Sequence, residues 1–204
     1  MTEEIAAPCL LLVEGVEEKY FFDALIQHLG LDPNHTKVQI RPLEGVSSLG
    51  DKFKAVALTR GFDKVISLGV VRDADDDPVD AFSSISYALT HANLTVPSTT
   101  MVRIGTDPSV IVMLLPNTGP GMLEDVCLEA VRGDAAMSCV DDYFQCLNGK
   151  GISSFQNTSK SKVQAFLASK YETKLLGIAA RAGYWPWDAT SFEPIVAFLR
   201  KFII

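Results

Sequence analysis

Cys9-Leu10-Leu11-Leu12-Val13-Glu14-Gly15 is the stretch that decides the fold of this chain. Five apolar residues in succession, without the alternation of a half-buried strand, describe a strand covered on both faces. Such strands belong to parallel sheets with helices above and below. The run ends on an acid. The same happens further on, where Lys64 to Val71 is strongly apolar and is followed by Arg72-Asp73-Ala74-Asp75-Asp76-Asp77-Pro78. Two buried strands that both end in carboxylates place those carboxylates at neighbouring strand tips, where open α/β sheets bind ligands.

Outward from these two strands, β and α signals alternate. Glu17 to Leu29 carries Tyr20, Phe21, Ala24, Leu25 and Leu29 at helical spacing, with Gly30 as its C-terminal stop. Lys37 to Pro42 predicts a short strand and Ser47 to Gly61 a second helix. Pro78 suits a helix start, so Val79 to Ala92 is expected to be a third. Thr99 to Ile104 and Ser109 to Leu115 are β-rich and joined by Gly105-Thr106-Asp107-Pro108, which suggests a hairpin. Met122 to Arg132 predicts another helix after the loop Pro116 to Gly121. The remainder is expected to be mainly helical, with Ser161 to Lys170 and Phe192 to Phe202 the clearest segments and a flexible loop at Asn148 to Ser154. The expected class is a three-layer α/β domain with a mostly parallel sheet.

Composition bounds the function. The chain has 204 residues, 48% of them hydrophobic and 21% charged, as in a folded, water-exposed domain. No stretch approaches the roughly 18 apolar residues of a membrane span, and the acidic start Met1-Thr2-Glu3-Glu4 lacks the basic region of a secretory signal. Cys9, Cys127, Cys139 and Cys146 show neither C-x-x-C pairing nor metal-ligand spacing. A cytoplasmic location is the expectation. The formal charge of −7 argues against a broad basic face that coats nucleic acid, though it leaves room for a nuclease whose acids hold metal.

The acids at the strand tips carry the candidate chemistry. Asp73, Asp75 and Asp77 alternate, so they share one side if the chain stays extended past the strand, and would then suit a hard cation such as Mg²⁺. The competing reading makes Asp76 or Asp77 the N-cap of the helix that begins at Pro78. Glu14, ending a wholly apolar strand, is costly unless paired or metal-bound, and Gly15 gives the backbone room to turn. His28, His35 and His91 stand apart from other metal-type ligands. Tyr184-Trp185-Pro186-Trp187 could stack on bases but more commonly packs helices onto a sheet.

Leu11-Leu12-Val13-Glu14-Gly15, followed by a helix and then by Val70-Val71-Arg72-Asp73-Ala74-Asp75, resembles the Toprim domain. That superfamily has a glutamate after its first strand and an Asp-x-Asp after its third. It includes topoisomerases, bacterial primases, ribosomal RNA maturases and the overcoming-lysogenization-defect nucleases. The resemblance covers about residues 10–128. It is closest to a small bacterial and archaeal Toprim-like family known only as a domain of unknown function, where it extends through Lys160-Ser161-Lys162, Phe166-Leu167-Ala168 and Gly177-Ile178-Ala179. It implies a Rossmann-like Toprim core at about residues 8–133 and a helical C-terminal extension at about 134–204. It further implies Glu14 as general acid/base or metal ligand, Asp73 and Asp75 as ligands of Mg²⁺ (or Mn²⁺), and Asp77 as auxiliary. Glu124, in Gly121-Met122-Leu123-Glu124-Asp125, resembles the glutamate that helps hold a second metal in the nuclease branch. An acid at a helix start also has a local explanation in the dipole. Of the two lysines Lys160 and Lys162, the resemblance favours Lys162 as the residue that offsets charge on a scissile phosphate.

The expected function is a Mg²⁺-dependent protein acting on the phosphodiesters of DNA or RNA, nuclease-like. The alternative is a non-catalytic Toprim module that binds metal together with a nucleotide, nucleic acid or protein partner. A receiver- or phosphatase-like acidic site would need a nucleophilic aspartate at the first strand, where Glu14 fits poorly.

Overall fold

The computed structural model describes residues 4–152 and 157–203. Four strands, β1 (Cys9–Val13), β2 (Val38–Pro42), β3 (Ser67–Asp73) and β4 (Ser109–Leu115), form one sheet in the order β2-β1-β3-β4, every pair parallel. The chain steps from β1 to β2 in one direction, then returns past β1 to β3 and onward to β4. Right-handed crossovers put the helix of the first step on one face and those of the return on the other. Accordingly α1 (Val16–His28) packs on one face, and α2 (Leu49–Ala57) and α3 (Pro78–His91) on the opposite one.

Period-two alternation divides each strand between two cores. Cys9, Leu11 and Val13 join Val71, Ile111, Met113 and Leu115 beneath α1. Leu10 and Leu12 join Leu68, Val70, Val110, Val112 and Leu114 beneath α2 and α3. The first face is completed by the second half of the chain: α4 (Leu123–Ala130), α5 (Ala135–Gly149), α6 (Thr158–Ala168), α7 (Leu176–Arg181) and α8 (Glu193–Phe202). Phe202 docks α8 on the sheet so closely that a Cβ on Gly69 would lie 2.9 Å from its ring and 2.8 Å from Leu11. The Ser67 hydroxyl donates to the Phe202 carbonyl across 135 residues (2.7 Å).

Local chemistry accounts for the ends of the elements. Glu17 and Glu18 sit in the first turn of α1 and His28 in its last, each complementing the helix dipole. Gly30 then takes φ 63°, the left-handed stop expected of it. Asp77 caps α3, accepting from the amides of Val79 (2.8 Å) and Asp80 (3.3 Å), with Pro78 opening the helix. Ser48 stands at φ 52°, so α2 begins at Leu49 rather than Ser47. Phe62–Lys64 is a 3-10 turn, which moves β3 downstream and makes Asp73 its last residue.

Three expectations need correction. Thr99–Ile104 forms no strand: the hairpin is reduced to a single antiparallel bridge between Ile104 and Val110, with one further bond from the Met101 amide to the Val112 carbonyl. Met101 is at φ 63°, which breaks the extended run, and the segment covers the otherwise open edge of β4. Gly15 is extended, at φ −140°, so its freedom to turn is unused. The loop expected at Asn148 to Ser154 starts later, because α5 continues to Gly149; residues 153 and 154 lie outside the described residues. The aromatic run packs: Trp185 is buried with its indole donating to the Leu176 carbonyl (3.1 Å), and Trp187 lies against Phe21 and Phe192. No helix among the described residues is long and apolar enough to cross a membrane.

Candidate functional site

The strand order reverses between β1 and β3, and this switch point is where an open parallel sheet leaves a crevice beyond its C-terminal edge. Glu14 follows β1 there and Asp73 ends β3. The first turn of α4 brings Glu124, and the first turn of α1 brings Glu18. These four acids and Glu17 line a cleft of about 390 Å³, together with Lys160 and Lys174.

The cleft is electrostatically expensive. Asp73 is 5% exposed, and its Oδ1 accepts a hydrogen bond from the Leu123 amide at the start of α4 (3.0 Å). Burial, then the charges of Glu14, Glu18 and Glu124, push its pKa up to about 8 despite that bond. The Glu14 pKa is raised by burial and by the charges of Asp75 and Glu18, against the opposing pull of Arg72 and of the Asp73 amide. The Glu124 side chain is 13% exposed and its pKa is also raised, chiefly by burial. Lys160 Nζ, 3.9 Å from Glu124 Oε1, opposes that rise. Glu14 Oε2 and Glu124 Oε2 are both buried without a hydrogen-bond partner. Beneath them the buried Cys127 thiol is pushed well up by burial and by Glu124 and Asp73.

Buried, unpaired carboxylate oxygens on two residues that line one cleft are groups that a cation would satisfy. Among the described residues, no three His, Cys, Asp or Glu side chains are gathered into a ready-made metal cage. Mg²⁺ is commonly held by one or two carboxylates and completes its shell with water and phosphate oxygens. Glu14, Asp73 and Glu124 line the same cleft without being drawn together into such a cage.

The other expected site residues are placed differently. Asp75 leaves the extended conformation, at φ 51°, and its backbone pairs with Gly121 in an isolated bridge. Its side chain, 49% exposed, turns back to an ion pair with Arg72 (3.3 Å). Asp73 and Asp75 therefore do not project side by side, although the Asp75 charge still reaches Glu14. The Asp77 carboxylate is occupied as the cap of α3. Lys162 pairs with Asp141 (2.6 Å) outside the cleft, while Lys160 lines it. Both lysines are inside α6, two residues and thus about 200° apart, so one faces the cleft and the other cannot. Glu18 was not singled out from the sequence. The available signal was its place one helical turn after a strand-tip glutamate.

A model of a protein family of unknown function, DUF3226, matches residues 8–204. No curated protein and no solved structure matches the chain. The match starts at the residue before β1 and runs through residue 204, so the sheet, the cleft and the C-terminal helices all lie within the matched span. This chain belongs to the DUF3226 family.

Proposed function

We propose that the chain is a Toprim-like, Mg²⁺-dependent protein acting on nucleic-acid phosphodiesters. The observation that carries this reading is that Glu14, Asp73 and Glu124 line one cleft at the β1–β3 switch point, with two buried carboxylate oxygens left unpartnered. Asp73 and Glu124 would hold the ion, and Asp75 would join them only by giving up Arg72. Bound there, Mg²⁺ or Mn²⁺ would offset the phosphate charge and polarise its oxygens. Glu14, whose proton affinity burial raises, is suited to hold the proton of the attacking or leaving oxygen. Of the two lysines on α6, Lys160 rather than Lys162 would be available to a phosphate oxygen in the cleft, which Lys174, paired with Glu172, also lines.

The test is incubation with single-stranded, duplex and structured DNA and RNA in Mg²⁺ or Mn²⁺, for wild type and Glu14→Gln. Metal-dependent cleavage lost in the variant is expected; retention of full cleavage by the variant would overturn the assignment. The outward turn of Asp75 favours a second reading, a module that binds metal and nucleotide or nucleic acid without cutting. Binding without cleavage across the panel would select it.

A further inference from the structure

A second cleft, of about 350 Å³, opens beyond the end of β4 and shares no lining residue with the acidic one. Met113 and Leu115 of β4, Val126 of α4 and Ile195 of α8 give it an apolar floor. Thr118, Asp125 and Glu129 stand at its wall, with Asn117, two residues past β4, and Ser191, in the 3-10 turn (Thr190–Phe192) before α8. Asn117 Oδ1 and Ser191 Oγ are both buried and both without a hydrogen-bond partner. Buried side-chain oxygens are normally paired. Two such orphans on residues that line one cleft, from segments more than seventy residues apart in sequence, match the usual plan of a small-molecule pocket, an apolar floor with a few placed polar groups.

We propose that this cavity binds a small, partly apolar molecule carrying an N–H donor, as in a carboxamide, amine or amidine. An acceptor oxygen such as Asn117 Oδ1 calls for a donor, and the Ser191 hydroxyl can complete the pair by donating or accepting. Charge selects against the opposite chemistry. Asp125 and Glu129, one turn apart on α4, line the cleft. Asp125 is already engaged by the Met122 amide and the Ser159 hydroxyl, and Glu129 by Arg132, so they act as a negative rim that disfavours a carboxylate ligand. The site does not depend on metal or on the reading of the acidic cleft.

Benzamide, benzamidine and benzoate are nearly isosteric probes that separate these demands. They are to be titrated into wild type, Asn117→Leu and Ser191→Ala without metal, following amide chemical shifts. Benzamide and benzamidine are expected to shift residues around β4, α4 and the start of α8 in wild type, with benzoate at least tenfold weaker. Both variants should lose that binding. Asn117→Leu should also raise the melting temperature of the free protein by about 2–4 °C, because an apolar side chain removes an unpaired buried oxygen. Equal binding of benzoate, binding unchanged in both variants, or no binding by wild type would overturn the proposal. A lower melting temperature for both variants would overturn it too, by making the two polar groups part of the protein's own structure.

Discussion

Asp73 and Asp77 are four residues apart and chemically identical, yet the fold uses them in opposite ways. Asp73 is the last residue of β3, buried among three other carboxylates, with its pKa pushed up to about 8. Asp77 lies beyond the turn at Asp75, exposed, with its carboxylate on the free amides of α3. One aspartate is costly to the folded state when charged; the other strengthens a helix. An acidic run in a sequence therefore has no single meaning. The backbone between its members decides, and here the deciding residue is Asp75 at φ 51°.

The largest effect is expected at the inner end of this contrast. If the cleft performs phosphodiester chemistry, Glu14→Gln keeps the shape of the side chain but removes its proton transfer, and metal-dependent turnover should fall by about 10²–10⁴-fold. Single-turnover cleavage assays measure this. Wild-type rates in the variant would reduce Glu14 to a strand-end acid no different from the outer aspartates.

Asp73→Asn comes next, and the sign follows from its pKa. With about 8 in the folded state against an ordinary value of 3.8, the folded protein binds more protons than the unfolded chain between those values. Stability contributed by the protonated side chain is full near pH 4, declines as pH rises and is lost above about 8. In metal-free buffer at pH 9, Asp73→Asn should therefore be more stable than wild type by roughly 2–5 kcal/mol, with little difference near pH 4. Urea midpoints at the two pH values test it. Added Mg²⁺ or Mn²⁺ should narrow the gap by stabilising wild type alone.

Asp77→Ala should act with the opposite sign. Loss of the cap on α3 is worth about 1 kcal/mol of destabilisation at neutral pH, without change in metal response. If Asp77→Ala abolished a metal-induced rise in melting temperature, the outer aspartate would belong to the site and the contrast would fail.

Much of this was open to the sequence. The apolar runs of β1 and β3 need no partner information to be read as buried parallel strands, and a glutamate or aspartate ending each one fixes the crevice once handedness sets α1 against α2 and α3. Two kinds of information were hidden. The first is long-range covering: nothing near Gly69 announces that Phe202 packs on it, or that the Ser67 hydroxyl meets the Phe202 carbonyl. The second is side-chain direction where the chain leaves regular structure. Alternation implied that Asp73 and Asp75 point together, but it holds only while the strand continues. Glu18 escaped notice for a related reason: its approach to Glu14 and Asp73 comes from the angle at which α1 leaves the strand, which periodicity within the helix does not contain.

Lys160 and Lys162 repeat the inner and outer contrast with the sign of charge reversed, and they carry the smallest expected effect. Residues two apart on a helix diverge by about 200°; Lys160 enters the cleft beside Glu124 and Lys162 reaches Asp141 instead. The Lys162–Asp141 pair is 30% and 60% exposed, and exposed pairs contribute between zero and about 1 kcal/mol. Lys162→Ala should accordingly leave metal binding and any cleavage within twofold of wild type and lower stability by no more than about 1 kcal/mol. Lys160→Ala should weaken affinity for a phosphate-bearing substrate while leaving the fold intact. A reversal of the two would mean that α6 is rotated in the working protein, bringing its other side to the acids.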